Sequence, residues 1–528
     1  MSRVLVVALA TFAFTILCVE YSKSHGRLSS VPLYDDVTYF FQGATLLHSF
    51  EKQGSGGLNE FLLRYGLHTP FSTGLAAVSY QIFGRNDSSP YYGNAIVILL
   101  YLSGVTWFLR RLPFTDWICC LVLFLAPPIA TMAIVEFRPD IGWAFVIGFG
   151  VVWLVTTPAV FSGWKASAFA GVIVGLALLI KPTTFAMTGI LFFGAIASRA
   201  LSMLYATQSF PPVRTRIAGT SVFLLVIACI AGPYVWFFGA ETWQYFYLNS
   251  FGINKSAWAF HGGIKDSMLY YISGEAGHSN LAYSGALLVF LGGMLSAVGT
   301  VYVREIRLKL IFLLLAILGA WLVNTSAAMK SPFLGGAIYG TLLFSCAYLI
   351  SQFYEKSASN PLLFLSKLRT PVLVIFAALA LVFYRWPLYT RNLADDQNAS
   401  RNFKNAREFI NAELSRYAAA PPKQILFGQA GPIVKEGVGL WLLENNIKCG
   451  LLEASFIRTL DGFRHTYPLF DWVILQEQGV VGSFPNMPSE ALLPGFLQIV
   501  STDPNYHRIA EFADSNGKNI FVYARKDF

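Results

Sequence analysis

Two adjacent carboxylates near the N-terminus have the residue types and the setting for acid–base chemistry. Asp35 and Asp36 begin the run Asp35-Asp36-Val37-Thr38-Tyr39, and apolar residues recur behind them at helical spacing: Val37, Phe40, Phe41, Ala44, Leu47 and Phe50. This pattern predicts an amphipathic helix lying on a membrane surface. A carboxylate at its start can act as a general base. It can equally act as a helix cap, so the pair alone leaves both interpretations open.

Further charged residues interrupt apolar sequence later in the chain. Glu136, Arg138 and Asp140 cluster between two apolar runs, and Lys181 and Lys330 lie at the ends of others. An interfacial ion pair or a helix cap would explain the first cluster. Snorkelling toward lipid headgroups would explain the two lysines. The other interpretation is that Asp140 faces the Asp35 site, while Arg138, Lys181 and Lys330 contact an anionic group of a substrate.

The composition shows what kind of protein must position these residues. Of the 528 residues, 55% are hydrophobic and 13% are charged, whereas an average soluble protein has about 25% charged residues. The mean hydropathy is +0.53. These values exclude a soluble globule, a disordered chain and a small disulfide scaffold, and the six Cys do not suggest a disulfide framework. A polytopic α-helical membrane protein remains.

About eleven apolar runs approach the roughly 20 residues that a membrane-spanning helix needs. They lie near 4–19, 91–109, 117–135, 140–157, 166–180, 183–203, 217–238, 281–303, 309–325, 333–353 and 371–388. The first run follows Arg3 and lacks a small-residue cleavage site, which predicts a retained signal anchor.

Basic residues in the short loops predict the orientation. With a cytoplasmic N-terminus, nearly all short-loop Lys and Arg residues, such as Arg110, Arg111 and Lys367, fall on the cytoplasmic side. An odd number of spans then places the C-terminal region outside, together with long loops near 20–90 and 239–280. The acidic residues lie at outer helix ends, not at span centres, which favours chemistry at the outer membrane face.

The sequence after the last apolar run reads as a soluble domain. Up to Pro387 the chain has 24 basic and 14 acidic side chains, a net charge of +10, while the remainder has 14 and 15. The pI of 9.1 therefore reflects membrane loops, not a nucleic-acid surface. The patterns predict a helix at 402–414, strands at 424–427, 471–475 and 519–523, and a hairpin at 506–523. We expect a small extracytoplasmic α/β domain over residues 389–528.

Four segments, in this order, resemble motifs of the GT-C glycosyltransferase superfamily, and especially its aminoarabinose transferase and protein O-mannosyltransferase group. Asp35-Asp36-Val37-Thr38-Tyr39 resembles the Asp-Glu-x-x-Tyr/His motif after the first span. Leu67-His68-Thr69-Pro70-Phe71 resembles a Pro-Pro-Leu segment, and Leu179-Ile180-Lys181-Pro182-Thr183 a Thr-Lys-Gly/Pro turn. Met329-Lys330-Ser331-Pro332 resembles a late lysine segment. Asp36 stands where the family usually has Glu, which leaves the sugar open.

The resemblance implies a GT-C-like transmembrane domain over residues 1–388, and a transferase that uses a polyprenyl-phosphate-linked sugar at the outer face. Asp35 matches the family's first acid and would be the general base of an inverting transfer. Asp36 would orient the site or bind a divalent cation, and whether a metal takes part is left open. The expected donor-phosphate ligands are Lys181, Lys330 and Arg138, and the expected supporting residues are Tyr39, His68 and Asp140. The acceptor would be a glycan, a lipid or a protein.

Two other functional classes compete with this interpretation. A transporter or lipid flippase would have paired charges within spans and pseudo-symmetric halves, and the sequence shows neither. A non-catalytic assembly or receptor protein would use the outer domain to bind a partner. A bacterial inner membrane is the expected location in the leading interpretation.

Overall fold

The structure is a computed structural model. It describes residues 2–33, 35–65, 69–161, 163–205, 211–302, 304–357, 363–384, 393–429, 431–484 and 486–527. Within these ranges a bundle of helices is followed by a small sheet covered by helices. The predicted domain boundary at 388/389 lies outside the described residues and stays a prediction.

The first part of the chain is helical. Its helices are α1 (Arg3–His25), α2 (Asp35–Gln53), α3 (Ser55–Tyr65), α4 (Pro70–Phe83), α5 (Ser89–Gly93), α6 (Ala95–Leu109), α7 (Phe114–Leu125), α8 (Pro128–Val135), α9 (Pro139–Thr156), α10 (Trp164–Ile180), α11 (Phe185–Tyr205), α12 (Val213–Ser250), α13 (Ile264–Leu269), α14 (Glu275–Asn280), α15 (Ala282–Tyr302), α16 (Arg304–Ser326), α17 (Gly336–Ser357) and α18 (Leu363–Val382). Each predicted apolar run overlaps one of these helices or, at 91–109 and 117–135, a pair of them, α5 with α6 and α7 with α8. Residue 303 and residues 385–388, at the ends of two runs, lie outside the described residues.

Seven segments of the described chain are long and apolar enough to cross a membrane. They contain α1, α6, α9, α11, α12, α16 and α17. The pair α7 and α8 bends by 64° and would form an eighth span. The bend falls at Pro127 and Pro128, where proline removes backbone N–H donors. Helix α10, one segment of α15 and one segment of α18 are also apolar but shorter. The multi-pass helical architecture is thus confirmed, while the number of eleven spans stays a prediction.

Small residues bring α9 and α17 together at the centre of the bundle. A Cβ atom on Gly148 would lie 2.2 Å from the carbonyl carbon of Gly340. A Cβ atom on Gly340 would in turn overlap the backbone of Ala144. Such close backbone approach is the usual way in which membrane helices gain packing contacts. The central pair therefore fixes the position of the N-terminus of α9, where Arg138 and Asp140 lie.

The C-terminal part is the expected α/β domain. Its helices are α19 (Leu393–Arg416), α20 (Lys435–Glu444), α21 (Leu460–Thr466) and α22 (Leu493–Thr502), and its strands are β1 (Gln424–Phe427), β2 (Gly450–Glu453), β3 (Trp472–Gln476), β4 (Tyr506–Ala513) and β5 (Asn519–Arg525). The strand order is β2-β1-β3-β5-β4. Strand β1 pairs in parallel with β2 and β3, whereas β5 is antiparallel to β3 and β4.

The predicted strands and the β4–β5 hairpin are confirmed. Of the five strands in the described sheet, β2 is the one that the sequence did not predict. The hairpin closes on Asp514, whose Oδ1 accepts hydrogen bonds from the backbone N–H groups of Asn516 and Lys518, both at 2.8 Å. Strand β2 has only four residues, and none of them is buried. A short edge strand without a buried face has no periodic signature in the sequence.

Helix α20 packs against both parts of the molecule. Its Val438 and Leu442 belong to the core of the C-terminal sheet. Leu440 belongs to the core of the helical bundle. Gly439 lies against α2, since a Cβ atom there would come within 2.9 Å of the ring of Phe41. The C-terminal domain therefore contacts the helix that begins with Asp35 and Asp36.

Candidate active site

The two carboxylates that begin α2 have opposite environments. The side chain of Asp35 is 56% exposed and that of Asp36 is 0% exposed. Oδ2 of Asp36 accepts hydrogen bonds from the Tyr91 hydroxyl at 2.7 Å and from Arg27 at 2.8 Å. Successive residues of a helix point about 100° apart, so only one of the two can face the opening of the site. Asp36 is held inside the protein, and Asp35 is the carboxylate that a substrate can reach.

Arg138 joins the start of α9 to the start of α2. Its Nη1 donates a hydrogen bond to Oδ2 of Asp35 at 2.6 Å. Its guanidinium lies over the ring of Phe333, 4.3 Å from the ring centre. The side chain makes no capping hydrogen bond to α9. The interpretation of Arg138 as a local helix cap is therefore wrong, and the ion pair it forms joins two distant segments of the chain.

Arg27 is a member of the site that the sequence analysis missed. It lies in a short turn after α1 and forms ion pairs with both Asp36 and Glu136. Oε2 of Glu136 is also 3.6 Å from Nε of Arg138. Arg27 belongs to no motif, and its only sequence signal is a cation in the outer loop eight residues before Asp35.

Lys181 and Asp140 form a second, more buried ion pair. Nζ of Lys181, at the end of α10, contacts Oδ1 of Asp140 in the first turn of α9. Their side chains are 14% and 10% exposed. Lys181 is therefore held by a protein carboxylate instead of extending freely to lipid headgroups. The structure thus places Lys181 and Asp140 together.

Tyr39 lies between the two ion pairs, one turn after Asp35 on α2. It is buried, with 3% of its surface exposed. Burial raises the pKa of its hydroxyl well above the usual 10, and the nearby carboxylates of Asp35 and Asp140 raise it further, while Arg138 acts in the opposite direction. The hydroxyl therefore stays protonated at neutral pH and keeps its ability to donate a hydrogen bond.

Lys330 is directed away from this group of residues. Its ammonium donates hydrogen bonds to three backbone carbonyls near the end of α16, those of Asn324 at 2.9 Å, Thr325 at 2.6 Å and Ala327 at 2.5 Å. This is a favourable place for a cation, because the carbonyls at a helix C-terminus carry partial negative charge. Burial lowers the pKa of Lys330. The predicted lysine segment contacts the site through Phe333, in the turn Pro332–Gly335, and not through the ammonium of Lys330.

The motif around His68 is only partly visible. His68 lies outside the described residues, so its predicted supporting role stays untested. The next residue, Thr69, begins α4 and donates a hydrogen bond to the carbonyl of Ile180 at 3.0 Å. Ile180 precedes Lys181, so this bond ties the second resembled segment to the third.

The charged residues together form one group at one end of the bundle, which we call the carboxylate cluster: Asp35, Asp36, Glu136 and Asp140 with Arg27, Arg138 and Lys181. Across the described ranges, no three His, Cys, Asp or Glu side chains are arranged to hold a metal ion. An exposed carboxylate backed by cations can accept a proton from one substrate while the cations bind an anionic group of another.

Comparison with known proteins finds solved structures of similar fold. No family model matches the sequence, and no curated protein matches it. Among solved structures, the chain is similar to ArnT from Cupriavidus metallidurans, in crystal structures bound to undecaprenyl phosphate and in the apo state. Both structures are 12% identical in sequence to this chain, and each match covers 97% of this chain and 97% of the ArnT chain. The TM-scores are 0.58 for the bound state and 0.59 for the apo state. The chain therefore has the fold of these ArnT structures, in agreement with the fold that the order of its motifs predicts.

Proposed function

We propose that this protein is a membrane glycosyltransferase that moves a sugar from a polyprenyl-phosphate donor to an acceptor at the outer face of a bacterial inner membrane. The observation that carries the proposal is the exposed Asp35 carboxylate, which lies 2.6 Å from Arg138 at the start of α2. The GT-C fold supports it, as does the undecaprenyl phosphate bound to a structure of that fold. The sugar and the acceptor are not specified by this argument.

The donor phosphate needs cationic partners, and the carboxylate cluster supplies them. Arg138 is 18% exposed and Lys181 is 14% exposed. Cations that are largely removed from water attract an anion more strongly than surface cations do. A guanidinium can also bind two phosphate oxygens at once. We assign donor-phosphate binding to Arg138 and Lys181. Lys330 would join them only by leaving the carbonyls at the end of α16.

Asp35 would remove the proton from the acceptor hydroxyl or amine. The acceptor oxygen or nitrogen then bonds to the anomeric carbon as the bond from that carbon to the phosphate oxygen breaks, and polyprenyl phosphate leaves. A single displacement of this kind inverts the anomeric configuration. Tyr39, whose hydroxyl stays protonated beside Asp35, would donate a hydrogen bond within the site. Asp36 would act indirectly, by fixing the first turn of α2 through Tyr91 and Arg27.

The test is complementation of a deletion strain, with mass spectrometry of its envelope glycans and lipids. We expect a sugar to be missing from the deletion strain and to return with the wild-type gene. Asp35→Asn keeps the shape of the side chain and removes its basicity, so it should lower transfer on the order of 10²-fold or more.

Glu51→Gln is the matched control, because Glu51 is an exposed acid at the other end of α2 that pairs with Arg85. This variant should restore the sugar. Full restoration by Asp35→Asn, at wild-type protein level, would refute the proposed mechanism.

A further inference from the structure

Every cation of the carboxylate cluster is already paired with a carboxylate before any donor binds. Four carboxylates, Asp35, Asp36, Glu136 and Asp140, face three cations. Arg27 pairs with Asp36 and Glu136, Lys181 with Asp140, and Arg138 with Asp35. The formal charge of the cluster is therefore −1. A phosphate that enters this site adds a further negative charge, and each of the three cations of the cluster is already paired with a carboxylate, so a cation that binds the phosphate exchanges a carboxylate for it.

The exposures indicate which ion pair can open. Asp36 is 0% exposed and Asp140 is 10% exposed, so removal of their cations would leave buried charges without compensation. Asp35 is 56% exposed and would be hydrated by water when released. The Arg138–Asp35 pair is therefore the one whose opening costs least.

The setting of Arg138 allows it to change partners without moving far. Phe333 lies against the guanidinium at 4.3 Å from the ring centre and holds its position. Its Nε faces Glu136 at 3.6 Å, while Nη1 carries the bond to Asp35. A guanidinium has five N–H donors in a fixed plane, so a phosphate oxygen can replace the Asp35 oxygen at the outer edge.

We propose that the Arg138–Asp35 ion pair is a resting-state contact that the donor phosphate displaces. In the absence of donor, Arg138 is hydrogen-bonded to the Asp35 carboxylate. When the donor binds, Arg138 binds its phosphate, and Asp35 is released to accept the proton of the acceptor. The inference rests on the proposed function and adds an order of events: donor binding prepares the base.

A specific consequence follows for donor affinity. If Asp35 competes with the phosphate for Arg138, removal of the Asp35 charge must strengthen phosphate binding although it abolishes transfer. We expect Asp35→Asn to bind undecaprenyl phosphate about tenfold more tightly than the wild type. Asp36→Asn is the matched control. It removes the same charge one residue further on, but its carboxylate is paired with Arg27 and forms no ion pair with Arg138, so the affinity should increase clearly less than in Asp35→Asn.

The experiment measures the dissociation constant of undecaprenyl phosphate for the full-length protein in lipid nanodiscs, at one fixed ionic strength. The variants are Asp35→Asn, Asp36→Asn, Arg138→Gln and Arg138→Gln combined with Asp35→Asn. Arg138→Gln should weaken binding, and in its presence Asp35→Asn should no longer strengthen it. This loss of coupling would show that Arg138 carries the competition.

Unchanged or weaker binding by Asp35→Asn would overturn the inference. So would equal strengthening by Asp36→Asn, which would indicate a general effect of charge. The proposed function fails separately: if Asp35→Asn retains transfer, the base assignment is wrong whatever its affinity. If it loses transfer with unchanged affinity, only the displacement is wrong.

Discussion

Asp35 and Asp36 are adjacent in the chain, but the Asp35 side chain is 56% exposed and the Asp36 side chain is 0% exposed. Their substitution should therefore have different consequences. Asp36 is buried between Tyr91 and Arg27. Asp36→Ala would remove the acceptor of the buried Tyr91 hydroxyl and one of the two carboxylates that pair with Arg27, which would keep Glu136. A buried polar group left without its hydrogen-bond partner costs about 1–3 kcal/mol. We therefore expect a clearly lowered melting temperature, measured on protein purified in detergent.

Asp35→Ala is the control for this prediction. Its carboxylate is largely exposed, and exposed ion pairs contribute about 0–1 kcal/mol. We expect a melting temperature close to that of the wild type together with lost transfer. If the two alanine variants had equal melting temperatures, the structural role assigned to Asp36 would be wrong.

At the scale of elements, α2 is held between α4 and α20, and glycines permit both contacts. A Cβ atom on Gly43 of α2 would come within 2.5 Å of the Cβ of Ala76 in α4. On the other side, Gly439 of α20 lies against Phe41. Because α2 carries both Asp35 and Tyr39, a displacement of this helix would move the base relative to Arg138. We therefore expect the C-terminal domain to help position the site.

Gly439→Val tests that role. The added side chain must displace Phe41 of α2 and Leu451 of β2, which a Cβ atom would approach to 2.9 and 3.1 Å, and overpacking of this kind costs about 1–3 kcal/mol. We expect transfer to fall about tenfold or more, since small displacements of catalytic groups are costly, while the protein still folds and inserts. Gly437→Ala is the control, because its Cβ would meet only Val37, at the ordinary distance of 3.9 Å. Equal activity of the two variants would contradict a positioning role for α20.

At the scale of the whole molecule, the charges divide between the two ends of the bundle. Arg3, at the start of α1, donates hydrogen bonds to the backbone of Arg110 and Leu112 after α6. Arg27, just past the end of α1, belongs to the carboxylate cluster. Helix α1 has 23 residues, which corresponds to about 35 Å and is sufficient to span the hydrocarbon core of a membrane. The cluster therefore lies at the opposite end of the bundle from Arg3 and Arg110.

The side of the membrane on which each end of the bundle lies is a separate prediction. Because Lys and Arg of short loops remain in the cytoplasm, we expect the Arg3 end to be cytoplasmic and the cluster and C-terminal domain to be outside. Reporter fusions after Lys367 and after Asn398 should report opposite compartments. Reporters on the same side would contradict the predicted topology, and an Asn398 reporter in the cytoplasm would also remove the proposed outer location of the site.

The elements of this protein were largely determined by its sequence. Apolar runs predicted the positions of its long helices, and short strand patterns predicted β1, β3 and the β4–β5 hairpin. These predictions succeed because each pattern lies within one continuous segment of the chain. The same local reading placed Asp35 and Asp36 at the start of a helix and, through the order of four motifs, indicated the GT-C fold.

The tertiary structure decided which side chains meet. It paired Arg138 with Asp35 across 103 positions and Lys181 with Asp140 across 41, brought Arg27 into the site and directed Lys330 to the end of α16. It also buried Asp36, exposed Asp35 and set α20 against α2. Periodicity cannot carry this information, because a spacing pattern describes one face of one segment. An ion pair instead depends on where the packing of separate segments leaves two side chains, and on how much water can still reach them.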